Sequence, residues 1–298
     1  MATVGELATR MREEFLDDVI KEDESDNKWR TSAIVSAISA TQDELCRRFI
    51  KDIKDASSSL CRIRIAPITS GSLALTFSQA TKKISRITGS FITDGFVIGL
   101  LPTVNSTLNA GPFNIASVTA LEIEVEEDLL DETITAIVSA YPQSYPLDNR
   151  IIKINEISYP GSRQPLIQKD LSWFNQHDAN WLGRIGTPTH FTTDYETDRI
   201  TFNRVPDATG IAKMQVSRLP LKRLSATAAG LQESPELVNI DDTLIHGALK
   251  WLYMLDDDHV KEESTATHWS SVFESDIRLL QLGKANLNPQ KWVTRGNP

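Results

Sequence analysis

Leu121-Glu122-Ile123-Glu124-Val125-Glu126 sets the character of the middle of this chain. Apolar residues alternate strictly with carboxylates along it, and a period of two is that of a β-strand with one buried face and one wet face. Upstream of it, Lys83-Ile84-Ser85-Arg86-Ile87, Phe96-Val97-Ile98 and Phe113-Asn114-Ile115 read as further short strands, punctuated by Gly89, Gly95, Gly99 and Gly111. Residues 71–132 are therefore expected to form a small β-barrel or sandwich unit of their own. A second β-rich region follows from Thr133 to about Leu224, with turn signals at Tyr159-Pro160-Gly161, Gly186-Thr187-Pro188 and Pro206 to Gly210, and a hairpin-like element over Tyr195 to Arg204.

Helical periods flank this middle. Thr3 with Glu6 three residues on forms a capping signal for a first helix through Leu7, Met11, Phe15 and Val19. From Trp29 to about Ile53 the positions Ile34, Ile38, Leu45, Phe49 and Ile53 keep a helical spacing. Near the C-terminus, Asn239 is the expected cap of a helix whose stripe is Ile240, Leu244, Ala248 and Leu252, with Asp241 and Asp242 at the positive end of its dipole. The last helix carries Glu262 and Glu263 in its first turn and Ala266, Trp269, Phe273, Ile277 and Leu280 on one face, with Gly283 as its expected stop. The fold class is α+β: a helical bundle of two N-terminal and two C-terminal helices, a β-rich middle and an inserted small β-barrel or sandwich. The expected division is a core of 1–70 and 133–283, an insert of 71–132, and an extended tail of 284–298.

The chain has 298 residues, 40% hydrophobic and 24% charged, enough to bury a core without disulfide staples. Its longest apolar run, Phe96 to Pro102, is far short of the ~20 residues of a membrane span. The N-terminal stretch carries charges where a signal peptide needs an apolar run, and Cys46 and Cys61, the two cysteines, read as reduced and inert. The net charge of −9 argues against gripping a nucleic-acid backbone as the main activity. The distribution is polarised: residues 233–276 hold 11 acids against 2 bases, and residues 277–298 hold 4 bases and no acid.

No phosphate-binding loop, dinucleotide fingerprint, nucleophile elbow, zincin or C-x-x-C motif occurs. The one constellation that invites a metal reading is Asp256-Asp257-Asp258-His259 with His268. Three acids at a helix C-terminus oppose its dipole, so Asp256, Asp257 and Asp258 are read as a solvated acidic loop, with neither metal nor cofactor. His177, His190 and His246 read as hydrogen-bonded structural residues. Trp173, Phe174 and Trp181 are closely spaced and read as core packing or a subunit interface, with a stacking platform for sugars or bases as the alternative.

From about Tyr145 onward the order of features resembles the head-to-tail adaptor, or connector, proteins of tailed bacteriophages. The matching stretches are Ser144 to Asp148, Ile151 to Ile157, Leu171-Ser172-Trp173, Trp181, Gly186-Thr187-Pro188, Ile200-Thr201-Phe202 with Pro206-Asp207, Arg218 to Leu221, Glu233 to Leu237, and the helix holding His246, Tyr253 and Asp257-Asp258. The opening helices resemble that family too, in Arg12 to Asp18, Trp29 and Leu45 to Arg48. The segment near 71–132 departs from its short members and resembles a small β-barrel module of phage structural proteins.

The resemblance implies a non-enzymatic virion protein at the head–tail junction, assembled in the host cytoplasm. It implies a homo-oligomeric ring of about twelve copies, closed by head-to-tail contacts, beneath the portal protein. Such a ring extends the DNA channel, offers a surface to the downstream tail or nozzle protein, and lets double-stranded DNA pass without specific binding. No membrane contact is implied. Lys284, Lys291, Trp292, Val293 and Arg295 are the expected portal-docking residues, because they combine unopposed positive charge with an aromatic anchor. The alternatives are a tail-associated carbohydrate-binding module built on Trp173 and Trp181, and a metal-dependent hydrolase built on Asp257, His259 and His268.

Overall fold

The computed structural model describes residues 2–16, 29–48, 50–178, 180–255 and 261–286. The fold is α+β, and the chain divides into two compact units, one of residues 1–54, 150–153 and 217–298 and the other of residues 55–149 and 154–216.

The first unit is helical. Helix α1, Val4–Met11, opens with the expected capping box: Glu6 N donates to Thr3 Oγ1, and Thr3 N donates to the Glu6 carboxylate. It continues into a π-helical turn over Arg12–Leu16. Helix α2 spans Thr31–Arg47 and buries Ile34, Ile38 and Leu45. Ile53, expected on the same stripe, instead starts strand β1, Ile53–Asp55, while Phe49 and Val19 lie outside the described residues.

After the short helix α5, Ala228–Leu231, helix α6, Asp241–Leu255, buries Leu244, Ala248, Leu249 and Leu252. Ile240 precedes it, and Asn239 sits at φ 61, a left-handed position, so Asn239 is not the cap. Helix α7 spans Lys261–Asn286 and runs through Gly283, which does not stop it. Its Phe273 and Ile277 join the core of α1, α2 and α6, with Trp269 and Leu280 packed at the margin.

Ion pairs tie these helices together at their rims. Lys250 Nζ reaches both Glu44 oxygens at 2.9 Å, and Arg48 donates two bonds to Glu274, at 2.6 and 2.9 Å. The Arg48 guanidinium is held charged chiefly by Glu274, and the Glu274 carboxyl is held below its ordinary range chiefly by Arg48. Among the described residues no helix is long and apolar enough to cross a membrane.

The second unit is β-rich. Its six-stranded antiparallel sheet follows the order β5-β8-β3-β4-β7-β6. The strands are β3 (Ile68–Ser78), β4 (Lys83–Arg86), β5 (Thr103–Val104), β6 (Ile115–Val118), β7 (Glu122–Val125) and β8 (Glu132–Ala140). The alternation that opened the reading is β7, with Ile123 and Val125 buried and the glutamates outward. The sheet reaches Ile68 and Ala140, beyond the expected limits of 71 and 132, because β3 and β8 pair along their lengths. Val104 N donates to Ala110 O and Phe113 N to Pro102 O, so the segment leading into β6 also bonds to the opposite edge at β5.

Phe96-Val97-Ile98 is not a strand. Phe91–Asp94 forms a single helical turn, α3, capped by Ser90 and ended by Gly95 at φ 97, after which Phe96 is buried while Val97 and Ile98 face outward. Likewise Phe113 and Asn114 precede β6 rather than belonging to it.

Two further sheets complete the topology. One has the order β11-β12-β13-β9, from β9 (Ser144–Pro146), β11 (Ile167–Gln168), β12 (His190–Thr192) and β13 (Arg199–Phe202). The other has the order β1-β14-β10, from β10 (Ile151–Ser158) and β14 (Gly210–Arg218), with β2 (Arg62–Ile65) also paired to β14. On β2 and β14, Ile63, Ile65, Ala212, Met214 and Val216 point inward, while Arg62, Arg64, Ile211 and Lys213 point outward.

Candidate functional site

Trp173, Phe174 and Trp181, the expected interface aromatics, are described and belong to the β-rich unit. Trp173 and Phe174 ride on helix α4, Leu171–His177. That helix exists where the chain enters it because Asp170 caps it: Asp170 Oδ1 accepts from Trp173 N at 2.7 Å and from Ser172 Oγ at 2.9 Å. These bonds, the Trp173 amide first, hold the Asp170 carboxyl below its ordinary range.

Around α4 the aromatic rings form one cluster. Phe174 and Trp181 are buried, their ring centroids 4.8 Å apart, and Trp181 Nε1 donates to Asn175 Oδ1. Trp173 is half-buried, with His177 stacked on it at 4.2 Å, His190 at 4.9 Å, and Lys169 Nζ over the ring at 5.1 Å. Burial, and secondarily Lys169, pushes the His190 imidazole below its ordinary value, which favours the neutral ring. Tyr195 adds an edge contact to Trp181 at 5.5 Å. A sugar ring stacking on Trp173 would have to compete with the two imidazoles for its faces.

The loop after Trp181 is fixed by one side chain. Gln143 Nε2 donates to Trp181 O and Phe202 O, and Gly183 N donates to Gln143 Oε1. Leu182 and Ile185 are thereby held outward, 46% and 44% exposed, and Tyr195, in edge contact with Trp181, is 41% exposed. Large apolar side chains displayed on a rigid loop are more characteristic of a protein contact than of a catalytic cleft.

In the helical unit, two of the quoted stretches meet. Arg218 Nη1 donates to Glu236 Oε2 at 2.8 Å, and the other Glu236 oxygen accepts from the amides of Leu221 and Lys222, which shapes the loop Leu219–Leu224. Similarly, Tyr145 of β9 lies opposite Ile200 of β13. The resemblance thus rested on residues that are far apart in sequence and adjacent in space.

Asp256, Asp257, Asp258, His259, Lys291, Trp292, Val293 and Arg295 lie outside the described residues, and Lys284 lies within α7. His268 makes an edge contact with Trp269 at 5.2 Å, and His246 Nδ1 lies 2.7 Å from Asp276 Oδ2. Among the described residues no three His, Cys, Asp or Glu side chains converge as metal ligands would. Cys46 and Cys61 are both buried and form no disulfide, and burial, with Asp43 second, pushes the Cys46 thiol up to about 11.

Sequence reasoning missed Lys169, His177 and His190 as partners of Trp173, and Tyr195 as a partner of Trp181. His177 could have been found from its i, i+4 spacing to Trp173, whereas His190 arrives only through the pairing of β11 with β12.

No curated protein matches the chain. A family model described as SU10 adaptor protein matches residues 114–292, which takes in the aromatic cluster, the Arg218–Glu236 clamp and helices α6 and α7. With more than half of its length matched, and with the quoted stretches brought together in the fold, the chain belongs to the SU10 adaptor protein family.

Proposed function

We propose that this protein is a head-to-tail adaptor that forms a homo-oligomeric ring of about twelve copies beneath the portal, a closed head-to-tail arrangement. Family membership gives the coarse role, a structural adaptor of a bacteriophage virion, and is the observation that carries the reading. The finer role is to extend the DNA channel and to receive the downstream tail or nozzle protein at the head–tail junction, without catalysis. A net charge of −9 suits a wall past which duplex DNA slides, since cationic walls would hold its phosphates. The aromatic cluster with Leu182, Ile185 and Tyr195 serves as a protein interface, and the six-stranded unit is an added β-barrel module on the adaptor core.

Docking on the portal is assigned to the C-terminal segment, in which Lys284, Lys291 and Arg295 supply charge and Trp292 and Val293 supply the anchor. The test is electron microscopy and titration of the full chain mixed with its portal ring. Truncation after Asn286 retains all of α7, so melting should stay unchanged while portal affinity falls by about 30-fold or more, the loss of a single interface Trp hot spot. Trp292→Ala should reproduce most of that loss. A truncated chain that saturates portal rings at the wild-type concentration would show that docking lies elsewhere.

A further inference from the structure

The outward face of β2 and β14 carries charge in an arrangement that the isolated chain leaves unbalanced. The two strands are antiparallel, with Lys213 directly opposite Arg62 and Ile211 directly opposite Arg64. Residues opposed in this way share a face, and like charges in direct opposition destabilise a sheet. Arg62, Arg64 and Lys213 have no carboxylate in ion-pair contact among the described residues. The chain has 40 acids against 31 bases, yet none of the described carboxylates lies in ion-pair contact with these three cations. Ile211 lies among these cations 49% exposed, which adds an apolar surface that water does not favour.

The same β-rich unit carries the complementary surface on a different sheet. Glu122 and Glu124 point outward from β7 and the exposed Glu126 follows its end, and six carboxylates fall from Glu122 to Asp131. Lys83 pairs with Glu122 and Lys82 with Asp128, both at 2.8 Å, leaving this surface with a net negative charge. Alternate residues of a strand are about 6.8 Å apart, so Arg62 and Arg64 share the pitch of Glu122, Glu124 and Glu126.

We propose that the basic face of β2 and β14 on one copy docks against the acidic face of β7 on a second copy of this chain. The inference rests on the ring reading and names the two surfaces that a head-to-tail contact requires. Copies carrying −9 each repel at long range, and a local basic face opposite an acidic one is what selects this encounter over others.

The experiment is sedimentation velocity of the full chain, alone and with portal rings, at about 0.05 M and about 0.5 M salt, where the screening length falls several-fold. Association of the wild type should weaken with salt. Arg62→Glu with Arg64→Glu, and separately Glu124→Lys with Glu126→Lys, should each weaken assembly by about tenfold or more. An equimolar mixture of the two variants should recover it, because each then meets its opposite. Should a reversal variant melt early, Arg62→Gln with Arg64→Gln replaces it, with weaker assembly and a flatter salt response expected.

Variants that assemble as the wild type does, or a mixture that fails to recover assembly, overturn the inference while leaving the adaptor reading intact. Wild-type rings absent even on the portal overturn both. Loss of duplex DNA binding in the arginine variant with assembly unchanged would make the face a polyanion site instead.

Discussion

Tyr145 and Tyr159 flank Phe202, with ring centroids at 5.5 and 6.0 Å, and both hydroxyls are buried without a hydrogen-bond partner among the described residues. An unsatisfied buried hydroxyl costs stability that a phenyl ring of the same shape does not. Tyr145→Phe and Tyr159→Phe are therefore each expected to raise stability by about 1 kcal/mol in urea unfolding. Burial is also the first cause that pushes the Tyr159 phenol up to about 12 and the Tyr145 phenol higher still. Above about pH 10 the unfolded chain releases these protons while the folded chain keeps them, so stability falls as pH rises. Each tyrosine contributes at most about 1.4 kcal/mol per pH unit to that slope. Unfolding at about pH 9 and about pH 11 should show a smaller loss in the double Phe variant than in the wild type. Equal losses would mean that the two phenols titrate freely in the folded protein.

Between elements, the decisive spacing is that of α2, α6 and α7. A Cβ built on Gly247 of α6 would lie 2.3 Å from Thr41 Cγ2 on α2 and 2.8 Å from Phe273 Cε2 on α7, and both of those residues are fully buried. Gly247→Ala gains about 1 kcal/mol of helix propensity but must push two helices apart, so a net loss of about 2 kcal/mol is expected. Gly283→Ala meets nothing within 4 Å and should gain up to about 1 kcal/mol, so urea midpoints should move in opposite directions for one and the same substitution. The sequence makes the stripes of α2, α6 and α7 legible because each period lies within one helix, and β7 because its alternation is complete. It does not reveal where a period stops: Ile53 looks helical and starts β1, and Gly283 looks like a stop and is passed. Phe96-Val97-Ile98 misleads because a short apolar run without alternation fits a strand and a loop equally well. The grouping of Trp173, Phe174 and Trp181 is local and was readable. The arrival of His190, and the opposition of Lys213 to Arg62, depend on strand register, which no local pattern encodes.

At the scale of the molecule, each unit has its own apolar core. That of the six-stranded sheet, from Leu75 to Ala140, draws on no residue outside 68–140. A fragment of residues 67–141 is expected to unfold cooperatively in urea with a sheet-type circular dichroism spectrum. A fragment of 71–132 lacks nearly all of β8, which pairs with both β3 and β5, and should not fold. Cooperative folding of the shorter piece would show that β8 is dispensable. The helical unit has the opposite character, since α1 and α2 are separated from α6 and α7 by the whole β-rich stretch. During synthesis at about 5–20 residues per second, roughly 10 to 40 s pass between the emergence of α2 and that of α6. For that interval the apolar stripe of Ile34, Ile38 and Leu45 has α1 but neither α6 nor α7 to pack against, while the β-sheet unit can complete itself on the ribosome. The nascent N-terminal helices are thus the segment most dependent on chaperone protection, and a ribosome stalled before residue 241 would release a chain with a finished β unit and an unsatisfied helical one.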